Sequence, residues 1–394
     1  MASSGPLEDL AVNFVQAAGS LSGAVPNGTK KGIVELLRMT NSYYSNLIEG
    51  HHTHPADIER AMHNDFDADP RKKDLQREAR AHIEVQRNME RRLNADPEVN
   101  VCSPEFLKSL HREFYERVPK ELRYVEDPVT KEWEEVIPGE FRSRGVRVGN
   151  HFPPSADSIE GLVRRFEDAY APDRLHRVQR IIALATSHHR LMWIHPFLDG
   201  NGRVARLFSA AYARKALLEG EGLWSISRGL ARKVTEYYSQ LSNADAKRYN
   251  DFDGRGALSE KALVEFATFF LETALDQVTY MRTLLEPASL SARVRAYSKL
   301  RSAGALKGTT AHATWKGEAG QLLDALAVRG EVPRNEVPRV TGLPPRTARR
   351  ITQSLLKEGL LESDSPKQPL RLGFPAHAAG VFFPNLYPQG ISWR

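Results

Sequence analysis

Residues 178–208 cannot form one continuous helix. Val178, Ile181, Ile182, Ala185 and Met192 recur at helical spacing, and "GRVARLFSAAYARKALL" reads as a second helix. Between them lies "IHPFLDGNGR". Pro196 disfavours helical geometry in the residue before it, which leaves His195 at a helix boundary. Gly200 and Gly202 permit positive φ and close backbone approach. Two helices joined by a short loop therefore gather His195, Asp199, Arg203 and Arg206 in one place. A helix starting near Asn201 offers free N–H groups to an anion. Arg203 and Arg206 are three apart and share a face of it, and guanidinium groups suit phosphate geometry. Asp199 suits Mg²⁺, which prefers carboxylate and phosphate oxygens. His195 titrates near neutrality and suits proton abstraction from a hydroxyl. Taken singly, a helix-end histidine or a glycine at a junction is ordinary turn chemistry. Their combined spacing points to metal-assisted chemistry on a nucleotide phosphate.

The surroundings are mostly helical. "KKGIVELLRMTNSYYSNLI" stops at Gly50 and a histidine-rich turn, and "DLQREARAHIEVQRNMERRL" is charged and amphipathic. "SPEFLKSLHREFYERV" opens with Ser103 as cap and Pro104 in the first turn. Glu132 to Asn150 alternates and contains Pro138, Gly139, Gly145 and Gly149, which predicts a short β-hairpin with Val146 and Val148 alternating against Arg147. Helices follow over "SADSIEGLVRRFEDAY", Ser227 to Ala244 and Glu260 to Leu285. Ser302 to Thr314 is small and polar and reads as a linker. Beyond it, a helix, a helix–turn–helix around Gly342 and two short strands predict a winged helix-turn-helix. The boundaries expected are 1–100 for an N-terminal helical region, 101–286 for a core domain, 287–314 for a helix and linker, and 315–394 for the winged-helix-like domain.

Composition narrows the class. The net charge of +6 suits phosphate-bearing ligands without establishing nucleic-acid binding. The single cysteine, Cys102, excludes an internal disulfide and a cysteine metal cluster, which fits a reducing compartment. No basic n-region precedes an apolar core at the start, and no apolar run reaches the roughly 18–20 residues of a membrane helix. A cytoplasmic protein is the expectation, with no membrane partner.

"HPFLDGNGR" followed by Val204, Ala205 and Arg206 resembles the signature of Fic-domain proteins, His-x-Phe-x-Asp/Glu-Gly-Asn-Gly-Arg-x-x-Arg, at every fixed position. The resemblance spans roughly Asn41 to Leu285 and implies an all-α Fic helical bundle with a small β-hairpin flap. It implies AMP transfer from the co-substrate ATP, with Mg²⁺, to a hydroxyl of a protein substrate. His195 resembles the base and Phe197 the hydrophobic anchor of the loop. Asp199 resembles the Mg²⁺ ligand, and Gly200, Asn201 and Gly202 the phosphate cradle. Arg203 resembles the arginine that steadies the ATP phosphates, and Arg206 the arginine nearest the γ-phosphate. His188 falls on the buried stripe and reads as structural; Tyr237 and Tyr238 read as core aromatics.

"SNLIEG" matches a helix end with Gly50 as its cap. It also resembles the family's inhibitory motif, Ser/Thr-x-x-x-Glu-Gly/Asn, which implies that Ser45 and Glu49 form a brake and that Glu49 pairs with Arg206. The same glutamate could align a water for AMP removal. The flap, Arg142 to Asn150 with Gly145, Val146, Arg147 and Val148, would dock an extended target segment by main-chain hydrogen bonds. Self-modification and a homodimer are compatible with the resemblance. Arg346, Arg349 and Arg350 lie at i, i+3, i+4 of the second helix of the helix–turn–helix, a layout that suits either a DNA major groove or protein contacts. The rival to an enzyme is a DNA-binding regulator whose core senses nucleotide. A complete catalytic motif favours the enzyme, since a sensor has no need of His195. Transfer of UMP, phosphate or phosphocholine remains a rival, with intact Gly202–Arg203 arguing for the ordinary nucleotide orientation and against the phosphotransferase variant.

Overall fold

The computed structural model describes residues 5–127, 130–149, 151–218, 220–306 and 317–388. The N-terminal region is α1 (Gly5–Ser22), α2 (Asn27–Ile48), α3 (Pro55–Met62) and α4 (Pro70–Ala95). The sequence reading left α1 unassigned. Its Leu7, Ala11, Phe14, Ala18 and Leu21 are buried at three- and four-residue spacing, chiefly along α11. α5 (Pro104–Arg117) starts as expected: the Ser103 hydroxyl accepts the Phe106 N–H, with Pro104 in the first turn.

The hairpin lies upstream of its expected place. β1 (Tyr124–Glu126) pairs antiparallel with β2 (Trp133–Glu135), with Val125 opposite Glu134. The segment from Val136 to Gly149 forms no strand: Val136 donates to the Arg123 carbonyl at the end of the β1–β2 ladder, and Val148 forms an isolated bridge with His151. Pro138 and Gly139 divert the chain after β2, and Gly139 has φ +80°. The segment is instead tied to the hairpin by Arg144, which ion-pairs with Asp127 and Glu134. Asn150 lies outside the described residues.

α6 (Ile159–Tyr170), α7 (Arg177–Ile194), α8 (Asn201–Lys215), α9 (Ile226–Arg232), α10 (Val234–Ala244) and α11 (Glu260–Leu285) complete the bundle. The helix expected over Ser227 to Ala244 is two, broken at Lys233. α7 runs through the centre. Every residue from Ile181 to His189 is buried, not only a stripe, because α6, α8, α11 and α1 surround it.

α12 (Pro287–Ser302) leads out of the bundle, and the expected linker lies outside the described residues from 307 to 314. The C-terminal module comprises α13 (Gly317–Arg329), β3 (Glu331–Val332), α14 (Val337–Thr341), α15 (Pro345–Lys357), β4 (Leu361–Glu362) and β5 (Leu370–Leu372). β3, which was not anticipated, pairs with β5, giving the sheet order β3-β5-β4. Gly342, at φ +66°, ends α14 in the left-handed conformation. α16 (Ala376–Phe382) and the residues after it return to the bundle and grip α2. The Tyr44 hydroxyl donates to the Leu386 carbonyl at 2.7 Å, and Tyr387 stacks on Tyr44 and meets Tyr43 edge-on. Arg228 donates to the carbonyls of Asn385 and Leu386. β5 also approaches α2 so closely that a Cβ on Gly32 would lie 2.4 Å from the Leu372 carbonyl.

A buried ion pair ties α12 to the end of α15: Arg301 donates to Glu358 at 3.0 Å, with both side chains at most 3% exposed. Truncating one member strands a buried charge, at a cost of about 3–5 kcal/mol. Glu358→Ala therefore lowers the thermal midpoint by several degrees, whereas replacing both residues with apolar ones of similar size costs less. Equal losses in the two proteins would refute this account.

Candidate active site

His195 is the C-cap of α7 and adopts φ +50°, ψ +60°, a left-handed conformation unusual for a non-glycine residue. Pro196 disfavours right-handed helical geometry at His195, and the hydrogen bonds around the turn hold the left-handed form. Arg142, which the sequence reading used only to mark the start of the flap, holds this turn. Its N–H donates to the Pro196 carbonyl at 2.9 Å and its Nε to the His195 carbonyl at 2.8 Å. Its other guanidinium nitrogens bond the carbonyls of Arg144 and Pro154. Burial, with lesser help from His151 and Arg142, lowers the His195 pKa to about 4. The imidazole is therefore neutral and able to accept a proton at pH 7.

The loop is anchored from within. Phe197 is fully buried and stacks on the His111 ring, 4.1 Å between centroids. The Phe197 N–H donates to Asn201 Oδ1 at 2.9 Å, and Asn201 Nδ2 donates to the Phe197 carbonyl at 2.8 Å. Asn201 thus spends its side chain on closing the loop. Gly200 has φ +76°, and a Cβ there would strike the Tyr115 ring at 2.8 Å. Tyr115 donates to Asp199 at 2.5 Å. His111 accepts from the Gly139 N–H, so its other nitrogen donates to the Asp199 carbonyl. Burial alone would raise the Asp199 carboxyl, but Arg203 and the Tyr115 hydrogen bond hold it below the usual carboxylate range.

α8 begins at Asn201, as expected, and a carboxylate occupies its N-terminal end. A Cβ on Gly202 would lie 2.2 Å from Glu49 Oε1. Arg206 donates to that same oxygen at 2.5 Å, to the Ser45 hydroxyl at 2.8 Å and to the Ser45 carbonyl at 3.0 Å. The Arg206 side chain is 1% exposed. Burial would raise the Glu49 carboxyl, yet Arg206 and Arg203 keep it below its ordinary value. Ser45, Glu49, Gly202 and Arg206 meet at one point although 157 residues of sequence separate the glutamate from its arginine.

Arg203 is buried over the Phe114 ring and lies 3.6 Å from Glu78 and 3.3 Å from His51. Glu78 Oε2 also bonds His51 Nδ1 at 2.6 Å, which raises the His51 pKa. The sequence reading missed Glu78, His51, Tyr115 and His111. The i, i+4 pair on α5 was the only available signal for the last two. His188 is structural, as expected: it bridges Ser209 and Tyr237 in the core, and burial lowers its pKa to about 3. Tyr237 is likewise core, but Tyr238 is not. Tyr238 is 46% exposed and donates to the Ile48 carbonyl beside Glu49. Gly145, Arg147 and Val148 are exposed and Val146 half-buried, in the irregular segment that Arg142 ties to the His195 turn. Arg346, Arg349 and Arg350 are exposed on α15, far from the bundle in sequence.

The family model for the Fic/DOC family matches residues 101–213. Residues 101–213 are a Fic domain. Protein adenylyltransferase Fic of Drosophila willistoni is 42% identical over 69 residues, 18% of this chain and 14% of that protein. The protein of the same name from Nematostella vectensis is 40% identical over 81 residues, 20% and 18% of the two chains. The chain thus spans less than a fifth of these curated relatives. A Fic family protein from Desulfovibrio desulfuricans G20 shares the fold over 92% of this chain and 95% of its own, with TM-score 0.50 and 19% identity. A Fic domain containing signaling protein from Bacteroides thetaiotaomicron VPI-5482 matches 70% and 96% of the two chains, with TM-score 0.51 and 19% identity. Among the described residues, no helix is long and apolar enough to cross a membrane.

Proposed function

We propose that this chain is a protein adenylyltransferase, transferring AMP from ATP to a hydroxyl side chain of a protein and held off by Glu49. The observation that carries the reading is the meeting of a neutral histidine, a glycine-bounded helix N-terminus and two buried arginines, with a carboxylate seated where an anion would bind. The names of the curated relatives support the same chemistry.

His195 takes the proton of the target hydroxyl, and the oxygen attacks the α-phosphorus of ATP. The Pα–O bond to the β-phosphate breaks and pyrophosphate leaves. Asp199 suits Mg²⁺. Its carboxylate is ionised, and no cluster of three or more His, Cys, Asp or Glu suited to a metal exists among the described residues, so the ion would rest on one carboxylate, waters and ATP phosphates. When bound, Mg²⁺ offsets phosphate charge. The N–H groups at the start of α8 and the guanidiniums of Arg203 and Arg206 stabilise the charge that develops on the phosphates. The segment Gly145 to Val148 offers main-chain groups to an extended target. The test is intact-mass analysis of Glu49→Gly protein incubated with ATP and Mg²⁺. Addition of AMP to the protein itself or to an added target supports the reading; its absence with ATP, together with transfer from another nucleotide, would replace AMP with that group.

A second role rests on a separate observation, the three exposed arginines on one face of α15. If they enter a major groove, binding to duplex DNA weakens steeply with salt as counterions are released. Arg346→Ala, Arg349→Ala and Arg350→Ala together then abolish retardation in a gel. A parent protein that retards no DNA at low salt assigns this face to protein contacts.

A further inference from the structure

The left-handed conformation of His195 persists only where its surroundings impose it. The last carbonyls of a helix lack partners within it, and here three at the end of α7 and just beyond are taken by donors from residues 142–151. Two come from Arg142. The third is the Trp193 carbonyl, which accepts from His151 Nε2 at 2.9 Å. His151 does more than fill that role. Its Nδ1 lies 3.0 Å from Asp245 Oδ2. Both ring nitrogens thus face acceptors, a carbonyl and a carboxylate, so both need a proton and the ring is an imidazolium. The other oxygen of Asp245 accepts from His189 Nε2 at 3.1 Å, and His189 is fully buried and kept neutral by that burial. Burial alone would lower the His151 pKa as well, but the hydrogen bond and charge of Asp245 and the Trp193 carbonyl raise it. A cation at the C-terminal end of α7 is also favoured by the helix dipole.

His151 has a second attachment. Its backbone exchanges both hydrogen bonds with Val148, at 2.9 and 3.0 Å, at the end of the exposed segment beside the site. One residue therefore joins three things: that segment, the last turn of α7, and α10 through Asp245. We propose that His151, held by Asp245, is a positioning residue for AMP transfer: it fixes the turn that presents His195 and ties that turn to the segment on which a target docks. The proposal rests on the adenylyltransferase reading. The charged groups around the pair are Arg142 and Asp199 beside His195, and Asp245, His189 and Lys247 beside His151.

The test uses full-length Glu49→Gly protein carrying His151→Gln or Asp245→Asn. Misplacing a catalytic group by about 1 Å costs about 100-fold. We expect kcat for AMP transfer to fall by about that factor in both, with KM for ATP within about twofold. Removing the cation beside His195 lets that ring take a proton more readily. Its NMR titration, assigned by comparison with His195→Ala, then moves to higher pH, and the acid limb of the rate profile follows. Asp245→Asn keeps the side chain's size but removes the charge and one of the two oxygens that hold His151 and His189, so it answers the question if His151→Gln does not fold. Parent kcat in both variants overturns the proposal. So does a loss of kcat with an unmoved His195 titration and a lowered melting point, which describes general loosening. The NMR arm needs no turnover. If Glu49→Gly protein transfers nothing, the activity reading fails while a moved titration still supports the coupling of His151 to His195.

Discussion

His195→Ala, introduced into Glu49→Gly protein, lowers AMP transfer by about 10²–10⁴-fold, the range for a general base, while the Kd for ATP stays within about twofold. The separation follows from the site. His195 sits on the turn before the loop and touches none of the groups assigned to phosphate: its contacts are the Met192 carbonyl and the donors from Arg142. Arg203, Arg206 and the start of α8 come after that loop in the chain. Deleting the imidazole removes the proton acceptor and leaves the anion site as it was. Transfer measured with labelled ATP and binding measured by calorimetry check both halves. Normal transfer in His195→Ala protein would remove the mechanism.

Glu49→Gly raises self-modification by about 10- to 100-fold over the parent. Glu49 Oε1 is shared between the N-terminal turn of α8 and the Arg206 guanidinium. A hydrogen bond to a charged group contributes about 1.5–3 kcal/mol, and each 1.4 kcal/mol is tenfold in a competing equilibrium. On the proposed reading, ATP displaces that contact to place its γ-phosphate on Arg206. Glycine removes both the bulk and the competing charge, whereas Glu49→Gln keeps the bulk and gives an intermediate rate. Ser45 stays on Arg206 in either case and keeps the guanidinium aimed. A Glu49→Gly protein no faster than the parent across several nucleotides assigns Glu49 to the helix end alone.

The parts of the site that were legible in the sequence are those that lie on one short stretch or carry a motif. His195 to Arg206 is contiguous, so its backbone constraints and charges could be read together, and "SNLIEG" named the partner of Arg206 by resemblance. What stayed hidden joins residues remote in sequence. Tyr115 meets Asp199, Glu78 meets Arg203, and His151 meets Asp245 only after the bundle packs. None of these sits in a pattern with a period. The hairpin was displaced because alternation in Glu132 to Asn150 outweighed its glycines and proline in the reading, whereas the chain obeys the latter. α7 yielded only a stripe because a helix buried on all sides mixes small, polar and apolar residues, its histidines and Ser187 among them.

The grip of the C-terminal segment on α2 sets a thermodynamic constraint. Thr40, Tyr43 and Tyr44 meet Tyr387 on the same helix that ends in Glu49. A single helix is thus shared by the carboxylate paired with Arg206, which the proposed brake requires ATP to displace, and by a surface that the C-terminal segment holds. Binding free energies that act through one element are reciprocal. If displacing Glu49 shifts α2 and so loosens the seat of Tyr387, any ligand that binds better with Tyr387 seated weakens ATP by some factor, and ATP weakens that ligand by the same factor. Saturating nucleotide therefore reports on the remote partner as faithfully as the partner reports on nucleotide.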